Sequence, residues 1–173
     1  MKKIKILFLF LILIYPFNLM AENQVYFINL KTVLNESKAG SAAQEKLVKE
    51  FENQDKKFKN ESNALKKQET ELINQRKTLS ADEYKKKVSS LRKKNVDFQN
   101  RRRNASSNFV KKKNNARKQL LKSLNPILQK YMDENGIMMI MNEKNVILAN
   151  SKVDLTNIII DLLNKELKSI KLN

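Results

Sequence analysis

Residues 51–79 read FENQDKKFKNESNALKKQETELINQRKTL. Phe51, Phe58, Leu65, Leu72 and Leu79 recur through this stretch at intervals of seven. A seven-residue apolar repeat returns each side chain to one face of a helix, so the pattern predicts a coiled-coil seam. The companion positions, Gln54, Glu61, Gln68 and Gln75, are all polar. A seam filled on one row buries little surface, so the expectation is a slender, flexible two-helix arm rather than a rigid bundle.

Downstream, the repeat stops at residues 79–83. Ser80 followed by Glu83 fits a capping box that starts a new helix. That helix carries its own row, Tyr84, Leu91, Phe98 and Ala105, beside a partly apolar row of Val88, Asn95, Arg102, Phe109 and Ala116. Two helices of similar length around a short break predict an antiparallel hairpin with its tip near 79–83. Residues 44–79 would span roughly 54 Å at about 1.5 Å per residue. Val48, Ile73 and Val110 fall outside the seam; ordinary packing within the hairpin is the first explanation for them, and weak, non-specific contacts with a partner the second.

Both ends of the chain read differently. Residues 25–30, Val-Tyr-Phe-Ile-Asn-Leu, form a β-branched and aromatic run with apolar residues on both faces, hence a covered strand. Helix follows from near Thr32, interrupted at Gly40, where close packing or a bend fits. Past the second helix, Leu120, Leu121, Leu124, Ile127, Leu128 and Tyr131 return to a core, with Pro126 a candidate kink. Asn135-Gly136 is a helix end. Residues 137–141 and 146–149 are apolar runs joined by four residues, which predicts a β-hairpin. Asp154 then suits the cap of an amphipathic helix carrying Leu155, Ile158, Ile159, Leu162, Leu163, Leu167 and Ile170. The expected fold is therefore mainly α with a small β body. Residues 22–43 and 126–173 form a discontinuous α/β body with three short strands, and residues 44–125 form the projecting arm. A body this small is marginal alone and leaves strand edges open, so oligomerisation through Val25, Phe27, Ile28, Ile137, Met139, Ile140, Val146, Ile147 and Leu148 is expected.

Residues 1–21 are not fold. Lys2, Lys3 and Lys5 precede an uncharged apolar run over 6–15, and Leu19-Met20-Ala21 follows. This is the layout of a secretory signal peptide cut after Ala21, and the run is shorter than the roughly 20 residues that span a bilayer.

The 173-residue chain has a net charge of +17, with 35 basic and 18 acidic residues. Three of those charges lie in the leader. Residues 22–43 and 126–173 are neutral in sum, and residues 44–79 are nearly balanced. Residues 80–125 hold 15 basic residues against Asp82, Glu83 and Asp97. The cations cluster in four triplets: Lys85, Lys86 and Lys87; Arg92, Lys93 and Lys94; Arg101, Arg102 and Arg103; Lys111, Lys112 and Lys113. Charge runs are commonly solvated helix faces, but a field confined to one helix also draws anionic partners. These twelve residues are the candidate anion-binding set.

Composition excludes much else. With Gly 2, Pro 2, Cys 0 and His 0, there is no phosphate-cradling loop, thiol nucleophile, Ser–His pair or Cys/His zinc site. No cofactor and no enzymatic activity are expected.

Val25-Tyr26-Phe27-Ile28-Asn29-Leu30 with Val33-Leu34, Ser37 and Gly40 resembles the amino-terminal motif of the Skp/OmpH family of periplasmic chaperones. Ile147-Leu148-Ala149, then Val153-Asp154-Leu155-Thr156, is similar to that family's final strand and helix start, with Leu155 where the family often has Ile. The order of parts matches along the whole mature chain. The resemblance implies a periplasmic homotrimer, its strands forming a small body and its arms enclosing a cavity. It also implies that unfolded outer-membrane proteins are held there without ATP, with the same twelve cations as the candidate client-binding set. Anionic lipid or lipopolysaccharide is a further partner class, for which the motifs place no residues. Replacing Arg101, Arg102 and Arg103 by Gln is expected to weaken capture of acidic unfolded clients. The alternative is a basic coiled-coil protein binding nucleic acid or anionic membrane surfaces; phosphate contacts would be salt-sensitive, and the export signal argues against nucleic acid in vivo.

Overall fold

A computed structural model of the chain describes residues 25–172. The leader expected at 1–21 lies outside these residues. The fold is mainly α-helical with a small two-stranded sheet. In order it runs β1 (Val25–Ile28), α1 (Leu30–Glu36), α2 (Lys38–Asn74), α3 (Ala81–Asn135), β2 (Met139–Asn142) and α4 (Thr156–Glu166), with single 3-10 turns at Gln75–Lys77, Glu143–Asn145 and Ser151–Val153.

Local chemistry sets the element ends. Asn29 Oδ1 accepts from Thr32 N at 2.9 Å and starts α1 two residues earlier than the expected Thr32. Ser37 both ends α1 and caps α2 through Gly40 N at 3.3 Å. The interruption is therefore at Ser37, and Gly40 lies inside α2. Ser80 and Glu83 form the reciprocal capping box at the start of α3. Gly136 closes that helix at φ 63°, left-handed backbone that disfavours any residue with a Cβ. Between these ends α3 passes Pro126 as one helix of 55 residues.

The core gathers residues from both ends of the described chain. Ile28, Val33 and Leu34 pack with Leu120 and Leu124 of α3, Ile137, and Leu155, Ile159 and Leu163 at the carboxyl end. Long-range hydrogen bonds stitch the ends together. Thr156 Oγ1 accepts from Asn29 N at 2.8 Å, Phe27 O from Leu155 N at 2.9 Å, and Asn164 Oδ1 from Lys38 N at 2.7 Å. The last of these satisfies an amide in the first turn of α2, where no intrahelical partner exists.

The sheet corrects the sequence reading. β1 pairs β2 in parallel, with Val25 opposite Met139 and Ile28 opposite Asn142, and Phe27 makes an isolated parallel bridge to Asp154. No β-hairpin joins 137–141 to 146–149. Asn142 Oδ1 accepts from Lys144 N at 3.3 Å, and this side-chain-capped turn ends the strand. Residues 146–149 form no strand, and Ile147 and Leu148 are 104% and 92% exposed. β1 is likewise not covered on both faces, since only Ile28 is buried. The last helix stops at Glu166 rather than near Ile170. Leu167 and Ile170 still pack on the core, and Gln119 of α3 holds the tail by accepting from Lys171 N at 3.1 Å and donating to Lys171 O at 2.7 Å. The Asp154 side chain accepts from Thr156 N at 2.8 Å, one residue earlier than a conventional cap.

Candidate functional site: the cationic helix pair

α2 and α3 lie side by side and antiparallel, because successive cross-helix pairs rise along α2 while falling along α3. Glu50 pairs with Lys112, Glu61 with Arg101, Gln68 with Lys94 and Gln75 with Lys87. The last three step by seven on both sides, with Gln75 in the 3-10 turn just past the end of α2. Arg101 grips the Glu61 carboxylate with both terminal nitrogens, Lys112 reaches Glu50 at 2.7 Å, and Lys94 and Lys87 donate to Gln68 and Gln75 at 3.0 Å. The polar companion row is thus half of a cross-helix ladder. Its partners are basic residues of α3.

Apolar contacts run beside the ladder. Leu47, Leu65, Leu72, Phe98 and Ala116 are buried. Phe58 meets Phe98 edge-on at 5.9 Å between ring centres, and Phe51 meets Phe109 at 5.2 Å. Arg102 sits over the Phe98 ring at 5.8 Å, within cation–π range.

The ladder sorts the twelve candidate cations. Lys87, Lys94, Arg101 and Lys112 bind the opposite helix. Lys85, Lys86, Arg92, Lys93, Arg103, Lys111 and Lys113 are exposed, and Arg102 is exposed beside its ring contact. The Arg101–Arg102–Arg103 triplet is therefore three environments: a bidentate ion pair, a ring contact and a solvent-facing guanidinium. Among the described residues, only Arg101 and Lys112 of the twelve meet a carboxylate at ion-pair distance. Several acids of α2 instead face lysines of their own helix, as Glu45 does Lys49 and Asp55 does Lys59, both at 2.8 Å. Most of the α3 charge is left facing solvent.

The apolar residues that the sequence leaves outside the seam are exposed. Val48, Ile73 and Val110 are 45%, 60% and 52% exposed, and Val96, which the heptad reading passed over, is 54% exposed. They are not consumed by packing within the pair. Of the nine body residues, Ile28 and Ile137 are buried, Phe27, Ile140 and Val146 are partly buried, and Val25, Met139, Ile147 and Leu148 are exposed.

Hydrogen bonds from Arg101, helped by its charge and opposed by burial, hold the Glu61 carboxyl below its ordinary value. A carboxylate with a depressed folded-state pKa stabilises fully above its unfolded value and loses that contribution as pH falls through the folded one. Glu61→Gln is therefore expected to lower the melting temperature slightly near pH 7, with the gap to the parent closing in acid below the ordinary glutamate range. Thermal melts of both proteins at neutral and acidic pH check this; a gap unchanged in acid would refute it.

Among the described residues, no helix is long and apolar enough to cross a membrane, and no group of three or more acidic side chains is placed to hold a metal.

No curated protein matches the sequence. A solved structure assigned as an OmpH-like outer membrane chaperone of Caulobacter crescentus superposes with a TM-score of 0.79, covering 88% of this chain and 90% of that one at 18% identity, which is a likeness of fold. The family model for OmpH-like outer membrane proteins matches residues 24–163, from the first strand into the last helix, and the chain belongs to that family.

Proposed function

We propose that this protein is an ATP-independent periplasmic holdase that captures unfolded outer-membrane proteins between coiled-coil arms. In this reading α2 and the first part of α3 are the arm, and the two chain ends form a body that assembles as a homotrimer. The observation that carries it is the surface of the helix pair. Solvent-facing cations without carboxylate partners alternate there with uncovered apolar side chains. Such a surface draws acidic chains at long range and holds them by many weak contacts, without one fixed geometry. Family membership and the likeness to an OmpH-like chaperone support the same reading. The mixed seam supports arms that yield to clients of differing size, since ion pairs and Lys–Gln hydrogen bonds occupy much of it.

The test is aggregation of a β-barrel outer-membrane protein diluted from urea, followed by light scattering without nucleotide. The protein is expected to suppress scattering at low salt and to do so less well as salt screens the arm. Scattering unchanged by the protein would refute the reading.

A further inference from the structure

The helix pair has two unlike faces. On each helix, exposed residues stand two positions from ladder residues: Ile73 from Gln75, Val48 from Glu50, Val96 from Lys94, Arg103 from Arg101 and Val110 from Lys112. Two residues are about 200° of helix rotation. Val48, Ile73, Val96 and Val110 therefore stand on the side away from the ladder, whereas Phe51, 53% exposed, meets Phe109. On that side a groove of about 540 Å³ opens between the helices. Leu72, Ile73, Tyr84, Val88, Leu91 and Val96 supply its apolar surface, and Arg92 and Arg103 its guanidinium groups. Asn95 and Gln99 add amides suited to an unpaired peptide backbone, and Glu69 is its single acid.

We propose that this open face is where a client segment docks, and that the segment is extended, with apolar and acidic residues alternating at every third position. The inference rests on the chaperone reading above. Its spacing comes from α3, where Val96, Arg103, Val110 and Arg117 follow one another at steps of seven. Seven helical residues rise about 10.5 Å; a client chain extended in the polyproline-II form has three residues per turn, sets every third side chain on one face and covers about 9.3 Å in three residues. An apolar residue against Val96 thus sets a carboxylate against Arg103, and the next pair against Val110 and Arg117. A carboxylate can take two parallel hydrogen bonds from each guanidinium. The interleaved cations break the apolar stripe, so it lacks the continuous apolar face that would sink into a lipid surface.

The probe is a fluorescent peptide with Leu and Asp alternating at every third residue and Ser between them. Two controls have Asp replaced by Asn, or the same composition at every second residue. Anisotropy with the full processed protein should show tightest binding of the every-third peptide. Val96→Ser with Arg103→Gln should weaken that binding roughly tenfold, whereas Lys87→Gln with Lys94→Gln, which removes more charge from the ladder face, should change it less than about twofold. The open-face substitutions are at exposed positions, and circular dichroism should be unchanged. Equal binding of the Asn peptide or of the every-second peptide, or equal loss in both variants, would overturn the inference. So would competition by anionic lipid vesicles whose own binding is lost in the open-face variant. Light scattering with the urea-unfolded barrel protein separates the two readings. Suppression by parent and open-face variant alike leaves the chaperone reading standing and removes this one, whereas no suppression by the parent removes the chaperone reading.

Discussion

Gly40→Ala is expected to destabilise the protein by roughly 3 kcal/mol and to lower its melting temperature by about 10 °C, although alanine is the better helix former. Gly40 lies in the first turn of α2, buried where α1 turns into it. A Cβ there would stand 1.8 Å from the Leu34 carbonyl oxygen and 2.9 Å from both the Leu34 carbonyl carbon and Ser37 Oγ. Two of those atoms are backbone, so no rotamer change relieves the clash. Either α1 moves off the core, where Val33 and Leu34 are buried, or α2 leaves its hydrogen bond to Asn164. Gly136→Ala is the contrasting case. Nothing lies within 4 Å of a Cβ at that position, and the cost is the left-handed backbone alone, roughly 1–2 kcal/mol. Thermal denaturation of the two variants measures the difference; a Gly40→Ala protein as stable as the parent would refute the close approach.

Ile147→Asp combined with Leu148→Asp is expected to convert the proposed trimer to monomers without unfolding them. Both side chains are almost fully exposed, so the fold of the single chain does not depend on them. Burying an Ile or Leu contributes roughly 1.5–3 kcal/mol, so two from each of three copies amount to on the order of 10 kcal/mol of assembly. The aspartates would add mutual repulsion at the same seam. Sedimentation should give three chain masses for the parent and one for the variant, with equal helix content. A parent protein that sediments as a monomer, or a variant that remains trimeric, would show that these residues serve another purpose.

The features most legible in the sequence are those decided within a few residues. Ser80 and Glu83 announced the start of α3, and Asn135-Gly136 announced its end. In each case the donors and acceptors lie within one turn of each other. The seven-residue spacing picked out Leu65, Leu72 and Phe98, which are buried, because helical geometry alone relates residues seven apart. The concentration of charge on α3 was likewise a matter of counting. What the same spacing could not supply was the register between helices. Gln68 and Gln75 read as weak spots in a seam, yet they accept from Lys94 and Lys87. The heptads of each helix can be read separately, but which residue faces which depends on how the connecting turn sets one helix against the other.

The strands show the limit more sharply. Residues 146–149 are as apolar as 137–141, and adjacency in sequence favours pairing the two. The structure instead pairs β2 with β1, more than a hundred residues away, and leaves Ile147 and Leu148 uncovered. By itself the sequence determined where α3 starts and stops, which positions repeat on one helix face and where the charge accumulates, since these follow from short-range hydrogen bonding and helical periodicity. Tertiary structure alone decided three things: the parallel pairing of the strands, which cations the ladder consumes, and which apolar side chains stay open. Each is a competition between distant segments for the same hydrogen bonds and the same buried surface, and only the folded arrangement sets its outcome.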